Sequence, residues 1–169
     1  SRGESGMDAD GGDRDKSDAE LEALIDELTA RGGESTVMEN ALKHIVTRIT
    51  DEGLVIELFA LDGIPLFEDA TDTPTQLMRD LVDLVGSVSQ SVTNNVAIGG
   101  HVRSNPIVQT SNPVWDMSAQ RATRTRVMLQ ESGVISERMQ RVTGHADREP
   151  AHRNPMAMRN NRVEIVLLR

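Results

Sequence analysis

Two hydrophobic periods alternate along this chain, and their order outlines a layered domain. Leu21, Leu24, Ile25 and Leu28 recur at the helical spacing behind Ser17-Asp18, a pair able to cap a helix, and Gly32-Gly33 stops the run. So short an amphipathic stripe can pack on a domain, dimerise, or continue a linker. A second helical pattern, with Val37, Ala41, Leu42, Ile45 and Ile49 on one side, starts at Ser35-Thr36 and ends at Asp51-Glu52-Gly53. The period then changes. Leu54-Val55-Ile56-Glu57-Leu58-Phe59-Ala60 reads as a strand, apolar enough to be central in a sheet. Asp62-Gly63 turns the chain into a short extended piece, Ile64-Pro65-Leu66-Phe67.

Thr73-Pro74 predicts the next helix, with proline in its first turn and Leu77, Leu81, Leu84, Val85 and Val88 buried as far as about Val92. Val96-Ala97-Ile98-Gly99-Gly100 is a second strand, and the proline-containing stretch from Val102 to Val114 a long loop. Ser118 is expected to cap a helix running to about Ser132, with Ala122, Met128 and Leu129 inward and Gly133 closing it. Met139 to Thr143 is a third strand, Gly144 to Met158 a second polar loop, and Asn161 to Leu168 the closing strand. Helices set between short strands predict an α/β layer, an α+β sandwich with helices packed on one mixed sheet.

Composition narrows the chemistry. The chain has 169 residues, 37 % of them hydrophobic but only 2 % aromatic, so Val, Ile, Leu and Met must build the core. With no Cys there is no disulfide, thiol nucleophile or thiolate metal site. The net charge of −9 conceals a polarity: residues 1–100 hold 7 basic and 21 acidic side chains, residues 101–169 hold 11 and 6. The C-terminal part is therefore the part suited to an anionic ligand. Nucleic acid is a poor candidate, because lysine-rich runs are absent and aromatic stacking platforms scarce. No apolar run approaches the length of a membrane span, and Ser1-Arg2-Gly3, without an initiator Met, reads as a fragment boundary.

Catalytic signatures are weak. The sequence lacks a Gly-x-Ser-x-Gly elbow, and Gly99-Gly100 is followed by no phosphate-loop lysine. His44 is expected on the polar side of its helix, without a role. His145, Asp147, Glu149 and His152 are the densest metal-capable group, and a metal-dependent hydrolase is the enzymatic alternative, yet their spacing fits no helical zinc motif. A solvated polar loop, with no metal, is the expectation. Anion recognition remains. With Ser118 as the cap, Arg121 falls on the first turn of its helix, where positive helix potential disfavours a cation unless it receives a carboxylate. Arg103 leaves the second strand and Arg162 begins the last, and a guanidinium fork holds a carboxylate by two hydrogen bonds.

Gly100-His101-Val102-Arg103, Trp115-Asp116-Met117-Ser118-Ala119-Gln120-Arg121-Ala122 and Asn160-Asn161-Arg162-Val163-Glu164-Ile165 together resemble the signature of OmpA-like peptidoglycan-binding domains. The usual pattern there is Gly-His-Thr-Asp, Leu-Ser-x-x-Arg-Ala and Asn-Arg-Arg-Val-Glu. Trp115-Asp116-Met117-Ser118, and Pro65-Leu66-Phe67 after Glu52-Gly53-Leu54, are similar to the MotB branch of that group, the flagellar motor proteins. Gly133-Val134-Ile135 and Arg141-Val142-Thr143-Gly144-His145 continue the likeness, which spans about Glu39 to Leu168.

The resemblance implies a βαβαβ-type core, placed in residues 36–169; composition and periodicity put a disordered acidic tail (1–16) and an amphipathic linker helix (17–35) before it. The resemblance also implies a periplasmic, non-catalytic domain without cofactors that grips the diaminopimelate-containing stem of peptidoglycan and dimerises. A membrane helix and plug-like linker would lie upstream, and a larger MotA-like membrane subunit would complete an ion-driven stator. The wider group also contains wall-binding domains of outer-membrane proteins and lipoproteins. Arg121 takes the position of the family's carboxylate clamp, with Arg103 and Arg162 in support and Val102 and Met117 shaping the pocket. Val102-Arg103 stand where the family has Thr-Asp, and that aspartate takes the ligand's ammonium group. An arginine there repels an ammonium. Either another acid such as Asp116 takes the role, or a different wall group is bound, or wall binding is weak. Asn161 replaces the first of the two family arginines, and Arg162 keeps the second. The acidic segment before Glu39 is expected to fold back on the basic part and modulate access to the wall.

Overall fold

A computed structural model describes residues 2–104 and 113–169, with side chains from residue 17 onward. Helix α1 (Arg2–Gly32) is followed by α2 (Thr36–Leu42), β1 (Ile45–Ile49), β2 (Gly53–Phe59), α3 (Gln76–Ser89), β3 (Val96–His101), α4 (Pro113–Glu131), β4 (Met139–Gly144) and β5 (Arg162–Leu168). The strands form one mixed sheet in the order β1-β2-β5-β3-β4. Only β3 and β4 pair in parallel, with α4 as the crossover between them; every other pairing is antiparallel. The last strand made thus fills the middle of the sheet. Its N-terminal residue, Arg162, sits opposite Phe59 of β2 and His101 of β3, so three strand ends converge there.

The core lies between the sheet and the helices. Leu54, Ile56 and Leu58 of β2 and Val163, Ile165 and Leu167 of β5 alternate onto the helix side, where Met78, Leu81, Leu84, Val85 and Val88 of α3 meet them. Leu21, Leu24 and Leu28 of α1 join the same core, so the α1 stripe packs on the domain. Asp18 of α1 also pairs with the C-terminal Arg169 at 2.6 Å. On the other side of the sheet, among the described residues, no α-helix packs on the strands. There Val55, Ala97 and Val166 form a small apolar patch, packed against Leu168.

Several expected boundaries move. Helical backbone begins at Arg2, ahead of the Ser17-Asp18 cap, and covers the stretch expected as a disordered tail; the side chains of residues 1–16 lie outside the described ones. The second helix is short, because Ile45 to Ile49 is the edge strand β1. A period of four fitted this segment as well as a period of two, and its β-branched Ile-Val-Thr-Arg-Ile composition decided for the strand. His44, expected exposed, is 3 % exposed at the α2–β1 junction with Nδ1 2.8 Å from the Phe59 carbonyl oxygen. Helix α3 is capped by Thr75, whose hydroxyl receives the Met78 N–H, so Pro74 precedes the helix and does not occupy its first turn. At the other end of α3, Arg138 donates to the Ser89 and Asn94 carbonyls at 2.8 and 2.7 Å, a cation placed where the helix potential is negative. The loop expected from Val102 to Val114 falls in part on residues 105–112, outside the described residues.

Candidate functional site

Helix α4 begins at Pro113, so Ser118 is not its cap. Proline with its fixed φ opened the helix one and a half turns earlier than the serine signal predicts. Ser118 is fully buried instead. Its hydroxyl donates to the Trp115 carbonyl at 3.0 Å and accepts the Ala146 N–H at 2.9 Å, tying α4 to the loop after β4. The contact is close because two glycines make room for it. A Cβ on Gly100 would stand 2.1 Å from the Ser118 carbonyl oxygen, and one on Gly144 would stand 2.6 Å from the Ala119 nitrogen. The argument that Arg121 lies at a positive helix end therefore fails.

Arg121, one turn beyond Ser118, is nevertheless aimed at a ligand-sized space. It is 8 % exposed, donates from Nε to the Thr71 carbonyl at 2.9 Å, and carries its guanidinium 5.0 Å from the centre of the Phe67 ring. Burial lowers its pKa to about 10, with Asp69 and Asp72 opposing the shift and Arg103 adding to it. It remains charged at neutral pH. The guanidinium opens on a cavity of about 340 Å³ that Asp69, Val102, Arg103, Met117 and Asn161 also line. That volume suits an amino-acid-sized group. The cavity sits beyond the C-terminal ends of β2 and β3, the usual place for ligands in open layered sheets.

Four of the six residues expected at the site thus share one cavity: Arg121, Arg103, Val102 and Met117. Arg103 is held by its backbone, whose N–H donates to Asn161 Oδ1 at 2.7 Å, and it also lines a second cavity of about 580 Å³ beside His152 and Met156. Asn160 braces the neighbouring loop, accepting the Ala151 and His152 N–H groups at 2.8 Å each. Arg162 is not among the residues lining that cavity, but with Arg121, Phe67, His101 and Asn161 it lines a small adjoining pocket. It is buried on the helix-free face of the sheet, 3.2 Å from Glu57 Oε1, and donates to the Glu149 carbonyl. Burial lowers its pKa. Asp116 is exposed and is not among the residues lining the cavity. The acid that is there, Asp69, was missed by sequence reading. It lies in the irregular β2–α3 connection, where no spacing marks one aspartate among Asp62, Glu68, Asp69 and Asp72.

The loop histidines and acids do not gather as the hydrolase alternative requires. Asp147 Oδ2 accepts the Ser104 hydroxyl at 2.9 Å, and His152 Nδ1 accepts the Asn154 N–H at 3.0 Å. His145 and Glu149 instead meet His101, the residue before Val102. His101 is buried, and burial together with Arg162 and His145 lowers its pKa to about 3, so it is neutral.

No family model matches the chain. Over 128 residues it is 26 % identical to motility protein B of Escherichia coli K12, a match covering 74 % of this chain and 42 % of that relative. The chain therefore spans less than half the length of that relative. Among solved structures it is similar to the periplasmic domain of Helicobacter pylori MotB, with a TM-score of 0.60, 24 % identity, and 71 % and 85 % of the two chains covered. It is also similar to the cell wall anchor of the T6SS from Pseudomonas aeruginosa, with a TM-score of 0.61, 23 % identity, and 79 % and 95 % covered. The chain thus has the α+β fold of these periplasmic and wall-anchoring domains, four helices on a five-stranded mixed sheet.

Proposed function

We propose that this chain is a non-catalytic, periplasmic wall-anchoring domain of a flagellar stator, which binds peptidoglycan in the Arg121 cavity. One observation carries the reading: a nearly buried, charged arginine opens on a 340 Å³ cavity that also holds an acid, Asp69. A stem-peptide amino acid such as diaminopimelate presents a carboxylate beside an ammonium group. Arg121 takes the carboxylate as a fork, a contact that offsets the desolvation of its own charge. Asp69 takes the ammonium, the role that Arg103 cannot fill. Val102 and Met117 wall the apolar part of the stem. Similarity to motility protein B supports the motor setting, in which the protein dimerises and joins a MotA-like membrane subunit through parts outside this stretch. Among the described residues no helix is long and apolar enough to cross a membrane.

The test is co-sedimentation of the chain with diaminopimelate-containing sacculi. Arg121→Lys keeps the charge but loses the fork, and is expected to weaken binding about tenfold or more; Asp69→Asn is expected to do the same. Arg103→Asp removes the cation that repels an ammonium and is expected to tighten binding. Sacculus binding that is absent, or indifferent to both Arg121→Lys and Asp69→Asn, would refute the assignment. The equal likeness to a T6SS wall anchor favours a second reading, a wall anchor without a motor. Motility restored to a stator-deficient strain, by this domain grafted onto a motor protein's membrane part, would exclude it.

A further inference from the structure

We propose that His101, His145 and Glu149 form a binding site for a divalent cation of the zinc class, on the helix-free face of the sheet. Each offers one ligand atom, and these atoms all lie within 4.8 Å of one another. His101 closes β3 and is 3 % exposed, yet neither of its ring nitrogens meets a hydrogen-bond partner among the described residues. A buried polar group left in that state is costly, and it asks for a partner.

The surroundings are arranged around those nitrogens. The His145 ring stacks on His101 with centroids 4.5 Å apart and planes inclined by 8°. His145 Nδ1 faces Glu149 Oε2 at 3.7 Å, and His101 Nε2 faces Glu164 Oε2 at 3.9 Å. Gly99 keeps the space beneath open, since a Cβ there would stand 3.1 Å from His145 Nε2 and 3.6 Å from His101 Nε2. Beside them lies a cavity of about 230 Å³, lined by Gly99, His145, Glu149 and Glu164.

Two imidazoles and a carboxylate are a donor set for zinc and its transition-metal neighbours, whereas calcium and magnesium prefer cages of oxygen. Ligand atoms around tetrahedral zinc stand about 3.4 Å apart, so the trio must close by up to about 1.4 Å. The His145 ring must also turn out of its stack on His101 so that both ring planes meet the ion. His145 and Glu149 are free to make that adjustment, being 35 % and 65 % exposed on the loop after β4. Glu164 is a candidate for a fourth ligand: its Oε1 receives Arg48 at 3.2 Å and stands 3.7 Å from Arg162, which leaves Oε2 to turn to the metal. Because His101 directly precedes Val102 and Arg103, a bound cation would fix from behind the strand end that walls the 340 Å³ cavity.

The probe is zinc sulfate, titrated calorimetrically into the untagged chain after chelator treatment, with cobalt absorption reporting the coordination geometry. One cation per chain is expected, with a raised melting temperature. His145→Ala and Glu149→Gln, chosen because both side chains are solvent-accessible and leave the core intact, are each expected to weaken binding at least about tenfold. His152→Ala, outside the trio, is expected to bind as the unaltered chain does. No zinc uptake by the unaltered chain overturns the site. So does uptake that His145→Ala and Glu149→Gln leave intact, or that His152→Ala reduces as much as they do.

Discussion

The two faces of the sheet bury side chains equally well on opposite principles. On the helix side Leu54, Ile56, Leu58, Ile165 and Leu167 are fully buried in one apolar cluster. On the open side Glu57, His101 and Arg162 are 4 %, 3 % and 6 % exposed, with no α-helix above them among the described residues. Glu57 is paired there with three arginines, Arg48, Arg159 and Arg162. Arg159 in turn lies 3.6 Å over the Phe59 ring. The apolar face needs neighbours of the right volume, whereas the charged face needs particular partners. The first tolerates conservative change and the second does not tolerate the loss of one member.

The largest expected effect belongs to the apolar face. Ile165→Ala, in the central strand and fully buried, should lower unfolding free energy by about 4 kcal/mol, while Ile165→Val should cost about 1 kcal/mol. Denaturant titration with an unchanged m-value would measure both. Next comes Glu57→Ala, which leaves Arg162 buried without its acid and should cost about 3 kcal/mol, near the lower limit for a broken buried pair because Arg48 and Arg159 can turn to water. If Glu57→Ala proves as mild as a surface change, under about 1 kcal/mol, the open face is a solvated surface and the contrast between the faces collapses.

How much of this was legible follows the same division. The apolar face repeats at short sequence intervals, so periodicity found α3, β2, β3, β4, β5 and the body of α4. It misassigned Ile45 to Ile49, where helix and strand periods coincide over a short segment, and it missed the first turn of α4 and the helical backbone ahead of Ser17. The cavity was partly legible, because Val102, Arg103, Met117 and Arg121 lie in segments carrying a family pattern. Asp69 was not, because what makes it part of the site is the folding of the β2–α3 connection against α4. Arg162 is expected at the cavity because it begins the last strand and keeps the second of the two family arginines. Strand alternation sends neighbouring side chains to opposite faces, and Arg162 went to the face of Glu57. Partners such as Glu57 with Arg162, or His101 with His145 and Glu149, are far apart in sequence and leave no local signal.

Acid should separate the faces further. The native His101 imidazole takes its proton only near pH 3, while in the unfolded chain it does so near the ordinary 6.5. As pH falls through that window the unfolded state binds the proton first, so stability is complete above 6.5 and declines on acidification. Each pH unit inside the window is worth at most about 1.4 kcal/mol, giving a loss of about 2 kcal/mol by about pH 5 in chelator-treated protein. An NMR titration in which the native His101 ring moves with a midpoint near 6.5 would remove this origin for any acid sensitivity observed.

The smallest effect probes the seam where α4 meets the sheet, between the two faces and next to the cavity. Ser118→Ala deletes the acceptor for the Ala146 N–H and should cost about 1.5 kcal/mol, a magnitude that the loss of a helix cap would also produce. Stability alone therefore does not distinguish a seam from a cap, but the position of the damage does. Losing a cap would free the Gln120 and Arg121 amides that a capping Ser118 would hold, whereas losing the seam frees the Ala146 amide in the loop after β4. Hydrogen exchange should accelerate at Ala146 and leave the Gln120 and Arg121 amides protected. Since Val102 N–H donates to the Ala146 carbonyl at 2.9 Å, the freed loop should also loosen the wall of the cavity, and ligand affinity should fall although Ser118 does not line the cavity. Exchange that quickens at Gln120 and Arg121 with Ala146 unmoved would return Ser118 to the role its sequence position suggested.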